Sequence, residues 1–340
     1  MLRHRALRRL LTIPAVLLVL VMVVTTVPLW ALGALVASPW LPGRWRPLRL
    51  AAFALLWLCV EVAALVMLGW LWLVHGAGRR LGAPTAVDAH YRLLGRLLGW
   101  VTRGAQRLFA VRVRLENTPL AARPADPDPR PLIVLSRHAG PGDSLLLVHE
   151  LVKVHRRQPR IVLKDILQLD PTLDVLVNRL PSQFVSSDPD PGSDTAAKVG
   201  ALAKDMDHND ALLIFPEGGN FTERRRRRSI ARLEASGRAV HAALARRMRH
   251  LVAPRPGGVL AALDAAPQAD VVFVAHTGLE QLDSVLDVWR GLPMDREVQA
   301  RFWTVPAEGI PPDPDQRIAW LYEWWARIDA WIAERQPPAD

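Results

Sequence analysis

The chain has 340 residues, with 43 Lys plus Arg against 33 Asp plus Glu for a formal charge of +10, and it is 50% hydrophobic and 22% charged. That composition excludes a disordered or fibrous protein. The single cysteine, Cys59, excludes an intrachain disulfide, and no His/Cys cluster has zinc-ligand spacing, so no metal is expected and the fold has to rest on its own core.

Residues 10–43 contain no Asp, Glu, Lys or Arg, and residues 50–78 contain one, Glu61. Each run exceeds the roughly 20 apolar residues that cross a hydrocarbon core. Arg44, Arg46 and Arg49, set among Pro39, Pro42, Gly43 and Pro47, make a polar break between them, so residues 1–80 read as an N-terminal two-helix membrane hairpin. Arg3, Arg5, Arg8 and Arg9 before the first run, and Arg79 and Arg80 after the second, place both flanks in the cytoplasm. The loop arginines also permit a monotopic hairpin held at one leaflet, with Trp30, Trp40, Trp45, Trp70 and Trp72 near the interfaces, but two full spans is the leading reading. Glu61 is costly in lipid and stands either as a functional group or as a carboxylate that faces the other helix or is protonated.

Residues 81–340 read as one α/β domain. Short apolar runs predict strands at 111–115, 132–136, 161–163, 184–186, 211–215 and 271–275. Periodic stretches predict helices at about 86–109, 143–157, 194–207, 225–250 and 316–335. Such alternation implies a mostly parallel sheet covered by helices. Pro-rich stretches at 119–131, 188–194 and 306–314 read as loops. Trp320, Trp324, Trp325 and Trp331 fall on the last predicted helix, as a core-facing stripe or, second, a membrane contact.

Two segments can carry chemistry. The strand at 132–136 runs into Arg137-His138-Ala139-Gly140-Pro141-Gly142-Asp143-Ser144, in which His138 and Asp143 have H-x-x-x-x-D spacing. That spacing alone is close to chance, and a loop histidine beside a helix cap would account for it. The strand at 211–215 leads into Phe215-Pro216-Glu217-Gly218-Gly219-Asn220, a run far rarer by chance. Its glycines could expose backbone N–H groups to a phosphate or an oxyanion, or could simply make a tight turn.

Together, in this order and behind a membrane hairpin, His138, Asp143 and Phe215-Pro216-Glu217-Gly218 resemble the glycerolipid and lysophospholipid acyltransferases, typified by 1-acyl-glycerol-3-phosphate acyltransferase; the likeness spans roughly residues 105–285. The resemblance implies the family's helix-covered sheet, an acyl-CoA or acyl carrier protein co-substrate with no cofactor, and catalysis by His138 with Asp143. It further implies that Gly218, Gly219 and Lys164 contact the acceptor and that Glu217 either contacts it too or holds the glycine turn. Two departures stand out. Asn220 occupies the place of the arginine in the family's Glu-Gly-Thr-Arg block, and Phe184-Val185-Ser186-Ser187 lacks the family's Asp-Arg. Losing two charge-assisted contacts would forfeit roughly 1.5–3 kcal/mol each, which puts simple lysophosphatidic acid in doubt as acceptor. Arg224 and Arg225, which open a run of five arginines, are the candidate substitutes; the run reads equally as a solvated face or an anchor to anionic lipid.

In the chemistry so implied, His138 takes the acceptor's proton, an imidazole with an ordinary pKa near 6.5 being suited to that task, and Asp143 fixes its tautomer. Backbone N–H groups near Gly140, Gly142 or Gly218 are candidate oxyanion donors. Ser144 lacks the G-x-S-x-G context of a nucleophile, and His276 reads as structural. The expected partners are the thioester donor, a lysophospholipid acceptor and anionic membrane lipids, with no nucleic acid; the expected location is the cytoplasmic side of a cell membrane, bacterial in source. Two rivals remain, a catalytically idle lipid-binding relative and an acyltransferase for a glycolipid or an amino-acid lipid.

Overall fold

A computed structural model describes residues 4–41, 43, 45–116, 129–185, 195–280 and 285–336. The helices are α1 (Arg5–Ala37), α2 (Arg46–Val74), α3 (Pro84–Phe109), α4 (Pro141–Lys153), α5 (Pro171–Val177), α6 (Thr195–Ala203), α7 (Glu223–Ala235), α8 (Ala239–Arg247), α9 (Pro256–Ala265), α10 (Val285–Gly291) and α11 (Pro314–Ala333). The strands are β1 (Val111–Glu116), β2 (Leu132–Ser136), β3 (Gln158–Lys164), β4 (Ser182–Val185), β5 (Asp210–Ile214), β6 (Asp270–Thr277) and β7 (Arg296–Val305). Of the expected segments, Ser186, the loop at 188–194 and most of that at 119–131 lie outside the described residues.

The sheet runs β1-β7-β6-β2-β5-β3-β4. β2 pairs in parallel with β5 and with β6, and β3 pairs in parallel with β5, whereas β7 lies antiparallel on β6. The described residues form two compact units, one from 1–112, 163–189 and 284–296 and the other from 113–162, 190–283 and 297–340.

In the second unit β2 and β5 are buried at every position. Ile133, Leu135, Leu212, Ile214, Val271 and Phe273 pack with Val199, Leu202, Leu263, Trp325 and Ile328 from α6, α9 and α11. The alternate residues Leu132, Val134, Leu213, Val272 and Val274 are buried as well, as strands covered on both faces require. The tryptophans of α11 join this core: the Trp324 ring stacks on Phe273 with centroids 4.5 Å apart.

In the first unit α1 and α2 pack on each other, and both are long and apolar enough to cross a membrane. Ala64 and Leu68 of α2 also pack with Tyr91, Leu93 and Leu97 of α3 and with Val175 and Leu176 of α5. The apolar window of α1 has none of its residues buried. Its first turn is fastened by charge. Arg8 and Arg9 both reach the fully buried Asp174 of α5, Arg9 Nε at 2.7 Å from Oδ2. Glu61 is buried, and its Oε1 accepts from Thr172 N at 2.9 Å, at the first turn of α5. That turn carries helix N–H groups without intrahelical partners and the positive end of the helix dipole.

Substituting Asp174→Ala takes the carboxylate away from one buried and one half-buried guanidinium, and breaking a buried pair typically costs about 3–5 kcal/mol. The expected outcome is a lower unfolding midpoint for the detergent-solubilised protein, with release of the α1 N-terminus to limited proteolysis. An unchanged midpoint and unchanged cleavage would show that the pair does not hold α1.

Candidate active site

Because β2, β5 and β6 run parallel, their C-terminal ends share one edge of the sheet, where α/β proteins gather binding groups. The sequence leaves β2 through Arg137 and His138, and Gly140 then caps α4, which starts at Pro141. Asp143 is therefore the third residue of the helix rather than the cap expected from sequence. From there its carboxylate reaches back to the turn. Oδ2 accepts from Ala139 N at 2.7 Å and Gly140 N at 3.1 Å, and Oδ1 accepts from Ser144 Oγ at 3.0 Å.

The same carboxylate lies 3.0 Å (Oδ2) and 3.1 Å (Oδ1) from His138 Nδ1. Asp143 is 2% exposed and His138 19%, so the pair is buried at the carboxylate and open at the imidazole. Among the described residues Nε2 of His138 makes no hydrogen bond. Burial works to raise the Asp143 pKa, but the hydrogen bond from His138, the electrostatic pull of His276 and of His138, and the Gly140 N–H outweigh it and hold the carboxyl at about 2.

The Phe-Pro-Glu-Gly block frames this pair. The Phe215 ring stacks on His138 with centroids 4.5 Å apart and planes 29° apart. Glu217 is fully buried; Oε1 accepts from His138 N at 3.0 Å and Oε2 from Val252 N at 2.9 Å. Burial pushes its carboxyl up to about 7, against the pull of Arg137 and of the two N–H donors. Both oxygens are thus spent on backbone, which makes Glu217 a strut between the His138 turn and the segment at Val252. Gly218 and Gly219 take φ of +71° and +152°, conformations side chains rarely adopt. A cavity of about 580 Å³, lined by Arg130, Pro131, Gln268 and Glu308 among others, opens beside the start of β2 and holds none of these groups.

A family model described as Acyltransferase matches residues 93–276, more than half of the chain and a span that includes His138, Asp143 and Phe215 to Gly219. The chain belongs to the acyltransferase family. Its structure is similar to the crystal structure of the 1-acyl-sn-glycerophosphate (LPA) acyltransferase PlsC from Thermotoga maritima, with a TM-score of 0.51 over 85% of this chain and 99% of that one, at 15% identity. A comparison with curated proteins finds no match. At that identity the likeness is one of fold, and it agrees with the helix-covered, mostly parallel sheet expected from sequence.

Two arginines flank the glycine turn of this acyltransferase. A methyl group on Gly219 would collide with the Arg225 guanidinium, and one on Gly218 would lie 3.1 Å from that of Arg255. Arg225 Nη2 donates to Gly218 O at 2.9 Å. Burial, then the charges of Arg232 and Arg225, lower the Arg255 pKa, and none of the three arginines has a carboxylate partner among the described residues. Arg224 is exposed at the start of α7, whereas Arg226 and Arg227 pair with Glu223. Lys164 ends β3, belongs to the first unit and is exposed.

Of the proposed oxyanion donors, Gly140 N is engaged by Asp143 and Gly218 N by Phe215 O at 2.9 Å, which leaves Gly142 N in the first turn of α4. Sequence reasoning did not single out Arg255, whose only local signal is its place between Pro254 and Pro256, and read His276 as structural; His276 Nε2 lies 3.5 Å from Asp143 Oδ2. Among the described residues no cluster could hold a metal ion.

An Asp held at about 2 instead of its ordinary 3.8 adds stability that is present above pH 4 and is lost as the pH falls toward 2. The window corresponds to roughly 2 kcal/mol. The unfolding midpoint of Asp143→Asn is therefore expected to fall less than that of the unaltered protein between pH 5 and pH 3; parallel pH curves for the two would refute the assignment.

Proposed function

We propose that this acyltransferase is membrane-associated and moves a fatty acyl group from acyl-CoA, or from acyl carrier protein, to the hydroxyl of a lysophospholipid. The observation that carries the reading is the open imidazole of His138 backed by the buried Asp143 at 3.0 Å. With Nδ1–H held by Asp143, the unprotonated nitrogen is Nε2, the one without a partner. It takes the proton as the acceptor oxygen attacks the thioester carbonyl. The new C–O bond forms, the C–S bond breaks, and the proton passes to the departing thiolate. The Gly142 N–H is the donor best placed for the tetrahedral oxyanion. The Ser144 hydroxyl is spent on Asp143 Oδ1, which supports direct transfer without an acyl-serine.

Arg225, Arg232 and Arg255 support an acceptor that carries phosphate. The charges of Arg232 and Arg225 add to the cost of the buried Arg255 guanidinium, with no acid paired to it among the described residues, and so favour an anion at the glycine turn. They would supply what Asn220 withholds. Exposed Lys164 and Arg224 are further candidate contacts for anionic groups of the acceptor or of the bilayer, and α1, with its unburied apolar window, is the segment best suited to lipid.

The test is acyl incorporation from labelled acyl-CoA and acyl carrier protein into a panel of lysophospholipids, glycolipids and amino-acid lipids. His138→Ala is expected to lower turnover about 10²- to 10⁴-fold. Arg255→Met is expected to raise the KM for phosphate-bearing acceptors about tenfold, the worth of one charged hydrogen bond, and to leave that for uncharged acceptors alone. No incorporation with any pair, or full activity of His138→Ala, would favour the idle relative; preference for an uncharged headgroup would overturn the phosphate reading.

A further inference from the structure

We propose that His276 is a positioning residue of the active site, a neutral imidazole whose Nε2–H edge completes the surroundings of the Asp143 carboxylate. The proposal rests on the reading of His138 and Asp143 given above and adds a second imidazole on the far side of the acid.

The sheet itself brings the two histidines together. β2 and β6 pair in parallel with Ser136 opposite Val274, so His138 and His276, each two residues further on, come off adjacent strands in one row. Asp143 reaches into that row from α4. Its Oδ2 lies 3.0 Å from His138 Nδ1 and 3.5 Å from His276 Nε2. His276 is held from behind: its carbonyl accepts from Arg137 Nη1 at 2.7 Å, and the same nitrogen of Arg137 pairs with Glu280 at 2.7 Å.

The contacts fix the state of the His276 ring. Nε2 meets the acceptor Arg137 O at 3.3 Å, with the Asp143 carboxylate beside it at 3.5 Å, so it carries the proton. Nδ1 is buried with no partner, and a proton there would be an unpaired buried cation. Burial lowers the pKa of this ring in the same sense, with Arg137 adding to it while Asp143 and Glu280 oppose. His276 therefore offers Asp143 a dipole without a second positive charge. It does not compete with His138 for the proton in transit, and it offsets the cost of keeping the acid ionised. The other charged groups around this row are Glu217, which accepts from His138 N, and Arg137 with Glu280 behind His276.

His276→Leu removes the donor, and His276→Gln restores an amide N–H near the position of Nε2. In acyl transfer, His276→Leu is expected to lower kcat about tenfold, the worth of one hydrogen bond to a charged group, with the KM for the acceptor unchanged and with kcat recovered in His276→Gln. An arm independent of turnover reads the bridging proton of His138 Nδ1 and Asp143 by proton NMR of the full chain in detergent micelles, assigned by its absence in His138→Ala. That far-downfield signal is expected in the unaltered protein and in His276→Gln, and it should be broadened by exchange in His276→Leu. If His276→Leu keeps both kcat and the signal, or if both variants lose thermal stability alike and kcat and the signal do not follow the donor, His276 is a packing residue and the proposal falls. If the unaltered protein transfers no acyl group to any acceptor, the enzyme reading fails, while the NMR arm still decides whether His276 holds Asp143.

Discussion

A carboxylate taken out of water costs several kcal/mol unless donors replace the solvent it loses, and Asp143 is placed where such donors are dense. It sits in the first turn of α4, whose free N–H groups and dipole favour a negative charge. It collects Ala139 N, Gly140 N, the Ser144 hydroxyl and His138 Nδ1, with His276 Nε2 at the edge of the set. No single element supplies these. The turn after β2, the start of α4 and the end of β6 must be in register together, so the parallel pairing of β2 with β6 is what makes the buried charge tolerable. Everything the imidazole of His138 can do follows from that anion being fixed behind it.

The second acid of the site shows the same physics with the opposite outcome. Glu217 is as deeply buried as Asp143, yet its carboxyl is pushed up to about 7 where that of Asp143 is held at about 2. The difference lies in what faces each of them. Asp143 has the His138 imidazole within hydrogen-bond distance and His276 beside it; Glu217 has two backbone N–H groups and the more distant charge of Arg137. Environments that push two carboxyls apart divide the labour between them. One stays ionised against the His138 ring, and the other ties the His138 turn to the segment at Val252.

How far the sequence could be read depended on whether a feature was local. β2, β5 and β6 were legible because both faces of each are covered, which forces continuous apolar runs. β7 was not, since Arg296, Gln299 and Arg301 interrupt it and only alternate positions are buried. The stretch 225–250 reads as one periodic helix but breaks into α7 and α8 at Gly237, whose φ of +71° ends the first of them. α9 opens on Pro256, Gly257 and Gly258, residues that argue against a helix everywhere but at its start. In the site, His138 and Asp143 lie five positions apart and could be paired on paper, whereas Arg255 and His276 enter only through strand pairing and a loop crossing. The fate of Glu61 was equally out of reach, because the helix start it caps lies more than a hundred residues away.

The glycine turn and the base are mechanically one object. Val252 N is held by Glu217 Oε2 and Arg255 N by Pro216 O at 2.9 Å, so the segment that carries Arg255 is clipped twice to the block that positions His138. Glu217 Oε1 completes the connection at His138 N. A group bound against Arg255 is thereby set at a fixed offset from the imidazole through two hydrogen bonds and one buried side chain, without a flexible loop between. This arrangement gives the Phe-Pro-Glu-Gly block a purpose that needs no direct contact with substrate. On the proposed reading it would tie the place where an anion is gripped to the place where a hydroxyl meets its base, and proximity of that kind is among the largest single contributions a protein can make to a bimolecular reaction.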